Sequence, residues 1–337
     1  MLHHVLSFLR KQYSDCIRKL FLPCTVFCRD PLVLVCYDKD FTSNASAFLD
    51  AFSKSRAKSI HVFLQLGWQH ETPKYALPFA ENIKAVLEQC DRLNITVLAN
   101  SRNEVRVLSE LGLNCTLCHQ NAFVDERRYP IIPKDKKYDA IYIARITPFK
   151  RHALAKLVSS LRLIGEPAYL KQEKEYSDDI LFHQLKHAKW TPHVKGKDIP
   201  AEIAEARCGL CLSQTEGAMF VSVEYLLCGI PIVNTKNIGG RDELFPVFAV
   251  KTVPDTPEAV ADAVRSFAEH APAPEKIRAA TLEKMKPYRD VLRGLLNDAM
   301  KPKKFPESRS FPHKLLLRCS KGPFDLLRHG LLRKKSR

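Results

Sequence analysis

The chain has 337 residues, of which 45% are hydrophobic and 27% are charged. This length is enough for two domains, and the composition is that of an ordinary globular protein rather than a disordered or membrane-embedded one. No apolar run approaches the roughly 18 residues that a membrane span needs. The first residues place their charges after a short apolar stretch, and no small-residue cleavage site follows. The sequence therefore predicts a cytoplasmic protein without a secretory signal.

The formal net charge of +16 lies mostly at the two ends of the chain. Residues 301–337 hold 12 Lys and Arg against Glu307 and Asp325, and residues 1–29 hold five against Asp15, which leaves +2 for residues 30–300. A nucleic-acid-binding domain carries its basic stripe on the folded body, so this distribution disfavours nucleic acid as a partner. Binding of nucleic acid through the ends alone would weaken steeply with salt.

Both ends mix leucines with cations, for example in Lys314–Cys319 and Phe324–Lys335. This pattern is typical of a helix that lies on an anionic membrane surface, which would place the protein peripherally on the inner face of the plasma membrane. An equally open interpretation is that the first part docks on the N-terminal domain and the rest is a solvated basic end.

Eleven cysteines raise the question of a metal or haem site. Cys115, Cys118 and His119 have the spacing of a haem-attachment motif, and Cys208 with Cys211 forms a second C-x-x-C pair. Both pairs fall in segments that are predicted to be buried strands, and covalent haem attachment requires export. We therefore expect no metal, no cofactor and reduced structural cysteines.

The first half of the chain alternates apolar runs with amphipathic stretches. Residues 1–30 are interpreted as a basic amphipathic segment and residues 31–120 as a small α/β domain. Strands are predicted at Leu32–Tyr37, Ile60–Leu66, Ile95–Ala99 and Cys115–Leu117, with helices at Ala45–Lys54, Pro78–Leu93 and Asn103–Leu111. Residues 121–137, which contain Pro130 and Pro133, are interpreted as an interdomain linker.

The second half, residues 138–300, alternates more regularly and predicts a parallel, doubly wound sheet that is covered on both faces. Strands are predicted at Asp139–Ala144, Ala168–Leu170, Trp190–Val194, Cys208–Leu212, Pro231–Asn234 and Val247–Val250. Helices are predicted at His152–Leu163, Asp178–Lys186, Ala201–Ala206, Met219–Leu227, Pro257–His270 and Pro274–Asn297. Residues 301–337 form the basic C-terminal tail.

Two carboxylates, Glu216 and Glu224, lie eight residues apart where an apolar strand passes through a polar turn into a helix. A helix start offers backbone N–H groups to phosphate, and carboxylates accept hydrogen bonds from hydroxyl groups. If Glu216 flanks the helix start, the two carboxylates lie roughly 12 Å apart at 1.5 Å per residue. The segment predicts a site for a phosphorylated, hydroxyl-rich ligand such as a nucleotide-sugar.

Two cations, Arg145 and Lys150, are predicted at the carboxyl end of the strand Asp139–Ala144, with Pro148 starting the next element. Alone, such a pair is more often solvated surface charge. Ligands of open α/β sheets bind at the carboxyl ends of the strands, however, and the carboxylate pair is predicted at the same edge. Together the two clusters favour a diphosphate ligand.

Residues 138–245 resemble the donor-binding domain of GT-B glycosyltransferases, specifically the retaining family four. Arg145 and Lys150 match the family's Gly-Arg pair and the Lys five residues later, although Ala144 replaces the Gly. Glu216 and Glu224 match its E-x7-E signature. Gly217 after the first Glu, the Gly239-Gly240 turn and the following Glu243 also match. The resemblance implies an α/β fold of two Rossmann-like, doubly wound domains, with residues 31–120 as a reduced acceptor-side domain.

The resemblance also implies a role for each matched residue. Arg145 and Lys150 would neutralise the donor diphosphate and the charge that builds on it as the glycosidic bond breaks. Glu216 would hold the donor sugar together with three backbone N–H groups, those of Gly217, Ala218 and Met219. Glu224 would accept hydrogen bonds from the ribose hydroxyls.

The family-level expectation is metal-independent hexosyl transfer with retention. A nucleotide-sugar would be the donor and a glycan or lipid-linked molecule the acceptor, in cell-surface or exopolysaccharide assembly.

The N-terminal half departs from the family pattern. Val35–Asp40 stands where a Gly-rich loop is expected, and the domain is short for an acceptor site. Family members often carry a His near the reacting sugar, and His70, which follows a predicted strand, is the candidate here. The alternative function is that of a catalytically inactive protein that binds nucleotide-sugars or glycans.

Overall fold

The first sheet has five strands and forms the core of the N-terminal domain. A computed structural model describes residues 22–168 and 171–315. The sheet order is β1-β2-β3-β4-β5, in which β1 pairs antiparallel with β2 and the others pair in parallel. The strands are β1 Cys24–Arg29, β2 Leu32–Tyr37, β3 Ile60–Gln65, β4 Leu93–Ala99 and β5 Cys115–Leu117. The helices are α1 Asp38–Ser43, α2 Ala45–Lys54, α3 Pro73–Leu87 and α4 Arg102–Glu110.

The strand β1 was not predicted from the sequence, which placed these residues in a basic N-terminal segment. Buried and partly exposed residues do not alternate along these six residues, and the last of them is Arg29, so no clear strand pattern marked the segment. A turn at Asp30 and Pro31 folds β1 back onto β2, where Thr25 faces Val35 in the ladder.

The second sheet has six strands, all parallel, in the order β11-β10-β9-β6-β7-β8. The strands are β6 Tyr138–Ile143, β7 Leu161–Ile164, β8 Lys189–Thr191, β9 Ala206–Cys211, β10 Ile232–Thr235 and β11 Val250–Val253. The helices are α5 Lys171–Asp179, α6 Ile199–Ala204, α7 Phe220–Leu227, α8 Pro257–Glu269 and α9 Pro274–Ala299. This is the doubly wound α/β arrangement that the alternation of strands and helices predicts.

Two predictions between residues 150 and 170 are wrong. The predicted helix His152–Leu163 is a short 3-10 turn, His152–Ala155, followed by the strand β7. The predicted strand Ala168–Leu170 is not a strand at Ala168, and its other two residues lie outside the described residues. All four residues of β7 are buried, so the segment has no strand periodicity to distinguish it from a helix. The strand Val247–Val250 is also shifted, since β11 begins at Val250 after a 3-10 turn.

Apolar packing joins the two domains. Buried residues on one face of the first sheet, such as Val33 and Val35, belong to the same cluster as Phe123 of the linker and Tyr142 of β6. A second cluster fills the other face of the first sheet, beneath helices that include α2 and α3. The continuous cluster fixes the two sheets relative to each other, because well-packed interiors tolerate little sliding.

After α9 the chain returns to the first domain. The Phe305 ring lies 5.5 Å from the Phe27 ring of β1, and the Thr25 hydroxyl donates a hydrogen bond to the Leu315 carbonyl at 2.8 Å. We call residues 303–315 the C-terminal strap. The remainder of the predicted basic tail, residues 316–337, and residues 1–21 lie outside the described residues. Within the described part of the chain, no helix has the length and apolar character to cross a bilayer.

Candidate active site

The candidate site lies where the loops after strands of the two sheets meet. Gly217, after β9, packs so closely on the loop after β3 that an added Cβ would lie 3.0 Å from the Gly67 carbonyl oxygen. Gly240, after β10, packs on the loop after β4, where an added Cβ would lie 2.3 Å from the Asn100 carbonyl oxygen. Because ligands of open α/β sheets bind at the carboxyl ends of strands, this junction is where a ligand would sit.

Lys150 and Glu216 are in direct contact. Lys150 ends the 3-10 turn after β6, Glu216 follows β9, and the ammonium forms an ion pair with Glu216 Oε1. Their side chains are 14% and 7% exposed, so water screens the pair poorly. The two loops are further joined by the Gln214 N–H, which donates to the Phe149 carbonyl at 2.8 Å. The structure thus brings together a cation and a carboxylate that are 66 residues apart in sequence.

Arg145 lies just beyond the carboxyl end of β6 and is exposed. It therefore lies at the same edge of the sheet as Lys150. Its predicted contact with a diphosphate stays a prediction.

The turn between β9 and α7 presents backbone donors. In the described part of the chain, no backbone carbonyl accepts a hydrogen bond from the N–H of Gly217, Ala218 or Met219. The opposite side of the turn is held by the Asn121 amide, which donates to the Ala218 and Met219 carbonyls at 2.7 and 3.2 Å. These N–H groups at a helix start remain available to an anionic or hydroxyl-bearing ligand.

Only glycine fits at position 239 of the neighbouring turn. Gly239 has φ +114, and an added Cβ would lie 1.7 Å from the Glu216 carbonyl oxygen. The turn therefore supports the backbone of Glu216 directly, through an approach that a side chain would prevent.

Glu224 is buried in α7 and accepts two hydrogen bonds on the same oxygen. The Tyr129 hydroxyl lies 2.8 Å and the Lys314 ammonium 3.0 Å from Glu224 Oε1. Burial and the neighbouring Glu224 carboxylate raise the pKa of Tyr129, so its hydroxyl keeps the proton that it donates. Sequence reasoning missed both partners, because neither the linker nor the C-terminal strap carries a motif that points to α7.

The imidazole of His70 contacts residues of its own N-terminal domain. Its Nδ1 lies 3.0 Å from the Trp68 carbonyl oxygen, and its Nε2 lies 3.6 Å from Asp38 Oδ2. Burial lowers the pKa of His70, and Asp38 partly opposes this shift. The Asp38 carboxylate also accepts a hydrogen bond from the Gly67 N–H at 3.0 Å. Asp38 was missed from the sequence, although it directly follows a buried strand.

A buried carboxylate joins the loops after β3 and β4. Glu104 accepts hydrogen bonds from the N–H groups of His70 at 3.0 Å and Asn100 at 2.7 Å. Burial raises the pKa of Glu104 to about 7. Glu104 is thus a positioning residue for the two loops that contact Gly217 and Gly240.

His119, just before the linker, holds the turn that contains Gly240. Its Nε2 lies 2.8 Å from the Gly240 carbonyl oxygen, and its Nδ1 accepts a hydrogen bond from the Asn121 N–H at 3.1 Å. Burial lowers the pKa of His119 to about 4. The neutral ring therefore carries its proton on Nε2, which suits both contacts.

The cysteines form no disulfide among the residues described. All nine described cysteines are free, and most are buried. The described residues contain no group of three His, Cys, Asp or Glu side chains arranged to hold a metal ion.

Residues 125–284 match the family model described as glycosyl transferases group 1. Among solved structures, the chain is similar to HepE from Anabaena in complex with UDP and glucose, with a TM-score of 0.58 and 19% identity over 78% of this chain and 77% of that one. It is similar to a TarM mutant from S. aureus in complex with Fondaparinux, alpha-GlcNAc-glycerol and UDP, with a TM-score of 0.58 and 14% identity over 80% of this chain and 55% of that one.

A third similar structure is sucrose-phosphate synthase from Thermosynechococcus elongatus, with a TM-score of 0.52 and 15% identity over 75% of each chain. No curated protein matches the chain in sequence. At these identities the structural likenesses show the fold, which is GT-B with a reduced N-terminal domain, as predicted.

Proposed function

We propose that the protein transfers a hexosyl group from a nucleoside-diphosphate sugar to an acceptor, with retention of configuration and without a metal ion. The proposal is supported by the match of residues 125–284 to the glycosyl transferases group 1 model and by the GT-B fold. The observation that carries the proposal is the contact of Lys150 with Glu216 beside the N–H groups of residues 217–219, which donate to no described backbone carbonyl. A cation, a carboxylate and backbone donors at one junction suit a diphosphate joined to a sugar.

The proposed donor lies across the loops after β6 and β9. Its diphosphate binds Lys150 and Arg145, and the ammonium of Lys150 then exchanges part of its contact with Glu216 for phosphate oxygens. The Glu216 carboxylate becomes free to accept hydrogen bonds from sugar hydroxyls. Glu224 accepts hydrogen bonds from the ribose hydroxyls. HepE was solved with UDP and with UDP-glucose, so UDP-sugars are the first donors to test.

In the proposed transfer the bond between sugar C1 and the diphosphate oxygen breaks, and its electron pair stays on the diphosphate. Arg145 and Lys150 stabilise this developing negative charge. The acceptor hydroxyl attacks C1 from the face that the diphosphate leaves, and its proton passes to a leaving phosphate oxygen. The step balances without a metal or another co-reactant.

A second candidate function is a nucleotide-sugar or glycan binder without catalysis. It is favoured by His70, whose two ring nitrogens face Trp68 and Asp38 of their own domain. His70 is proposed to contact the donor sugar in the active enzyme, which would require the imidazole to leave these partners. Hydrolysis or transfer of a nucleotide-sugar would exclude the inactive candidate.

A thermal-shift panel of UDP-, GDP- and other nucleotide-sugars tests donor binding. A ligand at 100 times its Kd should add about 2.7 kcal/mol to the unfolding free energy. Glu224→Ala should lose most of this stabilisation, whereas Glu269→Ala should keep it, because Glu269 is an exposed carboxylate at the end of α8. Absence of stabilisation by every nucleotide-sugar would contradict the assignment of the site.

The acceptor is proposed to be a glycan or a lipid-linked molecule of cell-surface or exopolysaccharide assembly, reached from an anionic membrane surface. Support comes from the hydrogen bond of Thr25 to Leu315, which joins one residue of the N-terminal basic segment to one residue of the C-terminal basic tail at the β1 edge of the first sheet. Removal of residues 316–337 should reduce sedimentation with phosphatidylserine vesicles at low salt, and undiminished sedimentation would contradict the membrane proposal.

A further inference from the structure

The C-terminal strap reaches the proposed donor site from outside the segment that matches the family. The match ends at residue 284, yet Lys314 lies 3.0 Å from Glu224 Oε1. The same ammonium lies 4.2 Å from the centroid of the Phe220 ring. Phe220 and Glu224 are four residues apart in α7 and share one face of the helix, so this face offers the ammonium a ring and a carboxylate together.

Contacts on both sides fix the position of Lys314. On one side, His313 Nδ1 accepts a hydrogen bond from the Asp125 N–H at 3.0 Å. On the other, the buried Leu315 accepts the hydrogen bond of Thr25. Lys314 and Leu315 both have φ 55, a conformation that costs non-glycine residues free energy and persists only where surrounding contacts enforce it.

The arrangement leaves one oxygen of Glu224 for a ligand. Tyr129 and Lys314 both bind Oε1, and no described residue donates a hydrogen bond to Oε2. Since the Glu224 side chain is only 10% exposed, a carboxylate there needs charge compensation, which Lys314 supplies. Two donors on one oxygen also fix the carboxylate plane, so the direction in which Oε2 accepts a hydrogen bond is set before a ligand arrives.

We propose that Lys314 is a positioning residue of the donor site, which holds the Glu224 carboxylate oriented so that Oε2 accepts a hydrogen bond from the ribose 2′-hydroxyl of the donor. The inference rests on the proposed donor binding. It makes the C-terminal strap part of the nucleotide site, although the strap touches no catalytic group.

Discrimination between ribose and deoxyribose tests this role. Lys314→Met keeps the length and apolar stem of the side chain and removes its charge, and Lys314→Arg keeps the charge. Lys304→Met is the matched control, since Lys304 is an exposed lysine of the same strap. Calorimetric Kd values are measured for UDP and GDP and for their 2′-deoxy analogues, and the diphosphate that the wild type binds more tightly is used for comparison.

We expect Lys314→Met to weaken binding of the ribonucleotide about tenfold and binding of its deoxy analogue less than about twofold, which is the size of one charge-assisted hydrogen bond. Lys314→Arg should restore the preference, and Tyr129→Phe should reduce it in the same direction.

Each of the following outcomes would overturn the proposal. Tighter binding by Lys314→Met would mean that the strap competes with the donor. Equal weakening of the ribonucleotide and its deoxy analogue, or the same effect in Lys304→Met, would mean a purely structural role. An unchanged Kd would mean no role. If the wild type binds neither UDP nor GDP, the proposed donor site fails first, and this inference fails with it.

Discussion

The neutral state of His119 should make the stability of the protein depend on pH in a way that one substitution removes. The ring contacts the Gly240 carbonyl with Nε2 and the Asn121 N–H with Nδ1. Protonation would place a second N–H against that of Asn121, so the folded state disfavours the charged ring. Burial accordingly lowers the pKa of His119 from 6.5 to about 4.

Proton linkage determines whether the unfolding free energy rises or falls with pH. Between these two pKa values the unfolded chain binds more protons at His119 than the folded chain does, so stability is lost as pH falls. At 1.36 kcal/mol per pKa unit, lowering the pH from 7.5 to 5 should remove about 2 kcal/mol from the unfolding free energy, and at pH 4 the loss should reach about 3 kcal/mol.

Urea denaturation of the wild type and of His119→Gln at pH 7.5 and pH 5 isolates this contribution from other titrating groups. Between pH 7.5 and pH 5, the unfolding free energy of the wild type should fall by about 2 kcal/mol more than that of His119→Gln. His270→Gln is the control, because the His270 side chain is 83% exposed, and it should follow the wild type at both pH values. A difference that does not change with pH would refute the reasoning.

Two further substitutions test the packing that supports the site. Gly239→Ala should lower the unfolding free energy by about 1–3 kcal/mol and weaken nucleotide binding, since the new Cβ would overlap the Glu216 carbonyl oxygen. Gly196→Ala has open space and should do neither, as thermal unfolding with and without nucleotide would show. Tyr225→Phe removes the acceptor of the Ile143 N–H and should cost about 1–3 kcal/mol in urea denaturation; a smaller loss would mean that this N–H finds another partner.

Sequence reasoning succeeded where a signal is local. The strand Leu32–Tyr37 and the helix Ala45–Lys54 have the predicted bounds, because the strand is a short apolar run rich in valine and the helix has an amphipathic pattern. It failed at β7, where a buried arginine interrupts an apolar run. The Arg162 guanidinium is accommodated by Glu202, by the Lys189 carbonyl and by the Thr191 hydroxyl. None of these partners is adjacent in sequence, so no local sequence pattern indicates that a charged residue can be buried in the sheet.

The sequence by itself determined the α/β class and the strand-to-helix turn that carries Glu216 and Glu224, since both depend on neighbouring residues. Only the tertiary structure decided which side chains these carboxylates contact. Glu216 forms an ion pair with Lys150, which is 66 residues away in sequence. Glu224 accepts hydrogen bonds from Tyr129 and Lys314, which are 95 and 90 residues away. Closing such long segments of chain costs conformational entropy that only the packing of the whole molecule can offset. Such long-range contacts cannot be predicted from the spacing or periodicity of residues in the sequence.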